Sequence, residues 1–120
     1  MSRPRRIPNY PYTGVQRYFL TICTDNRAEF FREAETVQLA VDQFLYTSRE
    51  QGMAIVVYLL MPDHAHLLVD GEFDDSDLKQ FVKLSKQRSS YRFKKRFKRK
   101  LWQDGYSREE LLFSIGLRRT

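Results

Sequence analysis

The sequence is poor in the residues that staple or anchor a chain: it has one cysteine, four prolines and five glycines in 120 residues. A single cysteine, Cys23, excludes an internal disulfide, and its place in a strand-like run reads as a small core residue. No apolar run approaches the roughly 18–20 residues that a membrane-crossing helix needs, so no membrane partner is expected. The longest run, Ala54 to Met61, is short and β-branched and reads as a buried strand. The opening Met1-Ser2-Arg3-Pro4-Arg5-Arg6 is basic with no apolar stretch behind it, unlike a signal peptide, which points to the cytoplasm. Internal repeats and Gly/Ser linkers are also missing. A single domain over 1–120 is therefore expected, with 1–14 as a basic extended arm and 107–120 as a tail.

Acidic residues are missing from one segment in particular. Between Lys79 and Lys100 lie eleven of the 21 Lys and Arg and no Asp or Glu, within a chain of net charge +6. Such a segment attracts polyanions. The candidate nucleic-acid contacts are Lys83, Lys86, Arg88, Arg92, Lys94, Lys95, Arg96, Lys98, Arg99 and Lys100. Tyr91, Phe93 and Phe97 are interleaved with these cations and are candidates to stack on unpaired bases. Phe93 and Phe97, four apart, equally suit the apolar stripe of a helix, and Trp102 reads as core or hinge. Arg3, Arg5 and Arg6 of the arm are further candidates for phosphate contact.

What is present is a globular composition, 42% hydrophobic and 14% aromatic, outside the range of disordered chains. The run Tyr18 to Thr24 reads as a first strand, ended by Asp25-Asn26-Arg27. Val37, Ala40, Val41, Phe44 and Leu45 have helical spacing, with Glu33 and Glu35 favouring the helix start and Gly52 its stop. Ala54 to Leu60 and His64 to Val69 read as two strands of a hairpin joined through Met61-Pro62-Asp63. Asp74, Asp75, Ser76 and Asp77 mark a second helix start, with Leu78, Phe81 and Val82 as its stripe and an end near Phe93. Leu101-Trp102-Gln103 reads as a short final strand or a bend, and 107–113 as one more helical piece. This order predicts an α+β fold, a ferredoxin-like split βαβ sandwich with an antiparallel sheet and two helices on one face.

The chemistry lies in Met61-Pro62-Asp63-His64-Ala65-His66-Leu67-Leu68-Val69. Side chains alternate along a strand, so the only two histidines, His64 and His66, share one face while Ala65, Leu67 and Val69 face the helices. Two imidazoles so placed can converge on a divalent cation, although His-x-His alone is a weak signal. Asp63 is placed to orient an imidazole, to reach a metal through water, or simply to form the turn.

The whole segment resembles the HUH motif of single-tyrosine transposases, more specifically that of REP-associated and related insertion-sequence transposases. Phe19-Leu20-Thr21 with Asn26-Arg27 is similar to that family's first strand and its Thr…Arg element. Leu78-Lys79-Gln80-Phe81, Lys86-Gln87 and Leu101-Trp102-Gln103-Asp104-Gly105-Tyr106 resemble its second helix and Leu-Trp-Gln-x-Gly-Tyr segment, so the likeness spans residues 10–106. The resemblance implies a divalent Mg²⁺ or Mn²⁺ held by His64 and His66, polarising a phosphodiester. It implies a tyrosine that attacks phosphorus to form a 5′-phosphotyrosine and release a 3′-OH, with a single-stranded DNA hairpin as substrate. It also implies a homodimer joined sheet edge to sheet edge.

In that family the nucleophile sits on a later helix, in a Tyr-Ile-x-x-Asn-Pro-like stretch, and nothing after Tyr106 is similar to it. The expectation is that DNA and metal binding are present while the nucleophile is absent. Tyr106, and less so Tyr91, are the alternatives for it. Two other readings stand beside this one: a non-catalytic ferredoxin-like nucleic-acid-binding module, and an inactive transposon remnant.

Overall fold

The hairpin at the centre of the chain is the natural place to begin, because every other element is arranged around its second strand. The structure, a computed structural model, describes residues 12–104 and the strand 111–116. Four strands, β1 (Gln16–Cys23), β2 (Met53–Met61), β3 (His64–Gly71) and β4 (Leu111–Gly116), and two helices, α1 (Ala34–Glu50) and α2 (Leu78–Phe97), follow one another as β1-α1-β2-β3-α2-β4. The sheet order is β2-β3-β1-β4 and each adjacent pair is antiparallel. This is the ferredoxin-like split βαβ arrangement expected from the element order.

One face of the sheet is covered. Tyr18, Leu20 and Ile22 of β1 and Ala65, Leu67 and Val69 of β3 are buried against Ala40 and Phe44 of α1 and Leu78, Phe81, Val82 and Phe93 of α2. Each large side chain removed from water there contributes roughly 1.5–3 kcal/mol. Leu101 and Trp102 complete this core, and the Trp102 indole donates to Ser89 Oγ at 2.8 Å. Asp77 caps α2 by accepting from the Gln80 N–H. Lys98, in the left-handed conformation, closes the helix at its other end.

Three expectations change. The run Ala54 to Met61 lies on the sheet's outer edge, and Val56, Val57, Tyr58, Leu59 and Met61 are exposed, so β2 is not a buried strand. A bulge between Ile55 and Val57 is the reason for its unbroken apolar run: Ile55 pairs with Val69 on the covered side, whereas Val57 pairs with Leu68 on the open side. Leu101-Trp102-Gln103 is not the last strand; Trp102 makes only an isolated bridge to Thr24. The last strand is β4, which pairs with β1 where a helical piece was expected. Residues 12–14, where the extended arm was expected to end, pack against the start of α2. Tyr12 is buried, its carbonyl accepts from Leu78 N, and Gly14 N donates to Ser76 O. Gly71 lies against the Gly14 carbonyl so closely that a Cβ there would collide with it. Arg3, Arg5, Arg6 and Tyr106 lie outside the described residues.

Candidate metal centre and nucleic-acid face

Pro62 and Asp63 turn the chain from β2 into β3, and Met61 pairs with His64 immediately across that turn. From there the alternation of β3 sends Ala65, Leu67 and Val69 into the core and leaves His64 and His66 half-buried on the open face. Their rings meet edge to face, with centroids 4.5 Å apart. The two Nε2 atoms lie 3.0 Å from each other. Each remaining ring nitrogen has a partner. His64 Nδ1 is 2.7 Å from Asp63 Oδ1, and His66 Nδ1 is 2.9 Å from Thr21 Oγ1. Thr21 reaches His66 because the register of β1 and β3 makes them a cross-strand pair. Asp63 is held in turn by Arg27, whose Nε lies 3.0 Å from Oδ2. Asn26 and Arg27 both take left-handed backbone angles to bring that guanidinium round.

Electrostatics favour a neutral His66 and an ionised Asp63. Burial, with a smaller push from the neighbouring His64, lowers the His66 pKa and so keeps its ring uncharged. The hydrogen bonds from His64 and Arg27 hold Asp63 below the usual aspartate value. A carboxylate behind one imidazole and a hydroxyl behind the other is the outer support that metal-ligating histidines require. Two nitrogens each about 2.1 Å from one cation and at about right angles would be about 3.0 Å apart. The Nε2 separation of 3.0 Å fits a divalent ion shared by His64 and His66.

Among the described residues no third His, Cys, Asp or Glu joins this pair. Among the described residues no tyrosine stands beside it either. Tyr12 and Tyr18 are in the core, Tyr46 and Tyr91 are on the helices, and Tyr58 pairs with Leu67 on the covered side. Beside His66 the open face is apolar, a hollow of about 350 Å³ lined by Phe19, Val57, Leu59 and Leu68.

The cations of α2 and of the residues just after it fall into three groups. Arg88 and Arg96 turn toward α1. Arg88 pairs with Glu50 at 2.8 Å, donates to Thr47 and covers the Tyr46 ring, and Arg96 pairs with Glu35 at 2.9 Å. Arg92 lines the same groove with Asp42. Lys86 donates to the Gln103 carbonyl, and Lys100 pairs with Asp104 and lies 4.0 Å from Asp25. Lys83, Lys94, Lys95, Lys98 and Arg99 are exposed, with Arg99 over the Phe30 ring and Lys95 near the Tyr91 ring. Phe93 is core and Phe97 packs against it, which leaves Tyr91, 64% exposed, as the open aromatic among these cations. The basic end of α2 lies at the same end of the sheet as the histidines. Asp25 N donates to Leu101 O just beyond that end, and the adjacent Thr24 N donates to Asp63 O.

A sequence-family model described as transposase, IS200-like, matches residues 14–111. The chain belongs to the IS200-like transposase family. Two solved structures share the fold of this IS200-like chain. One is the REP-associated tyrosine transposase bound to a REP hairpin, with TM-score 0.67 and 17% identity. All of the present chain is covered there, and it spans 64% of that chain's length. The other, a protein of Deinococcus radiodurans R1 named as a transposase, gives TM-score 0.66 and 24% identity over 85% of this chain and 82% of that one. The search of curated proteins found no sequence match to the present chain. Among the described residues no helix is long and apolar enough to cross a membrane.

Sequence reading singled out His64, His66 and Asp63 but gave Thr21 and Arg27 no role of their own at the site. The signal for Thr21 was present as the one aliphatic hydroxyl inside the otherwise apolar and aromatic Tyr18 to Cys23 run. Its meaning depends on which strand lies alongside.

Proposed function

We propose that this chain is the metal-holding and DNA-binding part of a DNA-transposition protein. In this reading His64 and His66 hold a divalent cation, Mg²⁺ or Mn²⁺, and the substrate is hairpin-bearing single-stranded DNA. The observation that carries it is the pair of Nε2 atoms 3.0 Å apart, each ring backed at Nδ1 by Asp63 or Thr21, in an IS200-like transposase. A bound ion would polarise the scissile phosphodiester. The chain's own residues then do the rest. Asp63 and Thr21 orient the imidazoles, and Arg27 fixes Asp63. Lys94, Lys95, Lys98 and Arg99 neutralise DNA phosphates at the same end of the fold. Tyr91 offers a ring on which an unpaired base can stack.

No tyrosine occupies an open-face position of β1, β2 or β3. In this reading the nucleophile for strand transfer is supplied from outside these strands.

A hairpin-bearing single-stranded oligonucleotide tests this reading. The protein should bind it with an affinity that falls steeply with salt, and should bind one Mn²⁺ per chain that the double variant His64→Ala, His66→Ala loses. With Mn²⁺ present, denaturing gels should show no covalent adduct. Unchanged metal content in the double variant would instead favour a non-catalytic nucleic-acid-binding module. A phenol-stable adduct abolished by Tyr106→Phe would place the nucleophile at Tyr106.

A further inference from the structure

The two histidine rings are backed by groups of different kinds. His64 Nδ1 lies 2.7 Å from a carboxylate oxygen of Asp63. An aspartate carboxylate offers only acceptors. The ring proton of His64 therefore sits on Nδ1, and in the neutral ring Nε2 carries a lone pair. His66 Nδ1 lies 2.9 Å from the Thr21 hydroxyl, which both donates and accepts. With the two Nε2 atoms 3.0 Å apart, two bare lone pairs would repel, so a proton or a cation must lie between them.

Both neutral rings then have one arrangement in the ion-free protein. His66 carries its proton on Nε2 and donates it to His64 Nε2, leaving His66 Nδ1 to accept from Thr21. A cation shared by the rings needs a lone pair from both Nε2 atoms. The His66 proton must then leave Nε2 for solvent while Nδ1 takes one up, so net protonation is unchanged. Nδ1–H now donates, and the Thr21 oxygen must accept.

We propose that Thr21 is a positioning residue for the metal site, its hydroxyl reversing from donor to acceptor as His66 exchanges tautomers when the ion binds. His64 is the fixed ligand of the pair and His66 the adaptable one. A second carboxylate at position 21 would lock both rings into the same tautomer and press the two lone pairs together without an ion, whereas a hydroxyl serves both states. A β-branched residue in a strand also holds few rotamers, which keeps Oγ1 aimed at the ring. The inference rests on the metal-site reading above.

Nitrogen-15 spectra of the imidazoles at pH 8, above the usual histidine range, read the tautomers directly. In the ion-free protein His64 should be protonated at Nδ1 and His66 at Nε2; with Zn²⁺, a diamagnetic probe, both should be protonated at Nδ1. Thr21→Val, close in shape but unable to accept, should bind Mn²⁺ roughly 10- to 100-fold more weakly. Thr21→Ser should restore most of the affinity, and a well-dispersed ion-free spectrum for both variants shows that each is folded. His66 already protonated at Nδ1 without an ion overturns the inference, as does wild-type Mn²⁺ affinity in Thr21→Val. If wild type bound neither ion, the metal-site reading would fall and the inference with it; binding that ignores Thr21 sinks the inference alone.

Discussion

The two faces of one sheet differ in cover: helices bury one, and the other carries the two histidines beside an open apolar hollow. On β3, Ala65, Leu67 and Val69 are buried beneath the helices, while His64, His66 and Leu68 alternate with them on the open side. The covered face holds the fold together by apolar burial. The open face contributes little to that burial and is free to present ligands. Stability and chemistry are thus separated by a single residue step along the chain, and substitutions on the two faces should fail in different ways.

The largest expected effect is on the covered face. Leu67→Ala should lower unfolding free energy by about 2–5 kcal/mol in urea denaturation, while protein that remains folded still binds Mn²⁺. Substitution on the open face should invert that pattern. His64→Ala or His66→Ala should abolish Mn²⁺ binding measured by titration calorimetry, with stability changed by less than about 1 kcal/mol. An equal loss of stability on both faces would erase the distinction.

Removing the support behind a ligand should fall between these cases. Asp63→Ala frees His64 Nδ1 and is expected to weaken Mn²⁺ binding about 10- to 100-fold. Acidification should act in the same direction through His66. Its pKa is depressed below the ordinary 6.5, chiefly by burial, so the unfolded chain takes up the proton before the folded one does. Above 6.5 neither state is charged at this ring and no penalty arises. As pH falls below that value, stability and Mn²⁺ affinity should both decline, which melting curves and titrations between pH 8 and pH 5 would register. Asp63, depressed by His64 and Arg27, should add its own loss of stability only below its ordinary 3.8.

The smallest effects belong to α2. Lys94→Ala should weaken single-stranded DNA binding modestly and reduce the log–log salt slope by about 0.7. Arg88→Ala should instead lower stability, because Arg88 is tied to Glu50 and Thr47 rather than free for phosphate.

The common face of His64 and His66 and the order of elements were legible because both follow from local periodicity. The exposure of β2 was not. An unbroken apolar run such as Ala54 to Met61 fits a central strand or a bulged edge strand equally, and the sheet order that decides between them is a long-range property. The partners of Arg88 and Arg96 lie on α1, so charge counting along α2 overstated the free cationic surface. Thr21 was hidden for the same reason, since only the β1–β3 register brings it to His66. The final strand was missed because β4 is defined by pairing with β1, far away in sequence.

The central claim is that the open face of β3 binds a divalent ion through two imidazoles. Electron spin-echo modulation of protein-bound Mn²⁺ tests it most directly. The spectrum should show nitrogen couplings from two imidazoles, reduced to one in either single alanine variant and to none in the double. Bound Mn²⁺ with no nitrogen coupling, or a coupling unchanged in the double variant, would contradict it.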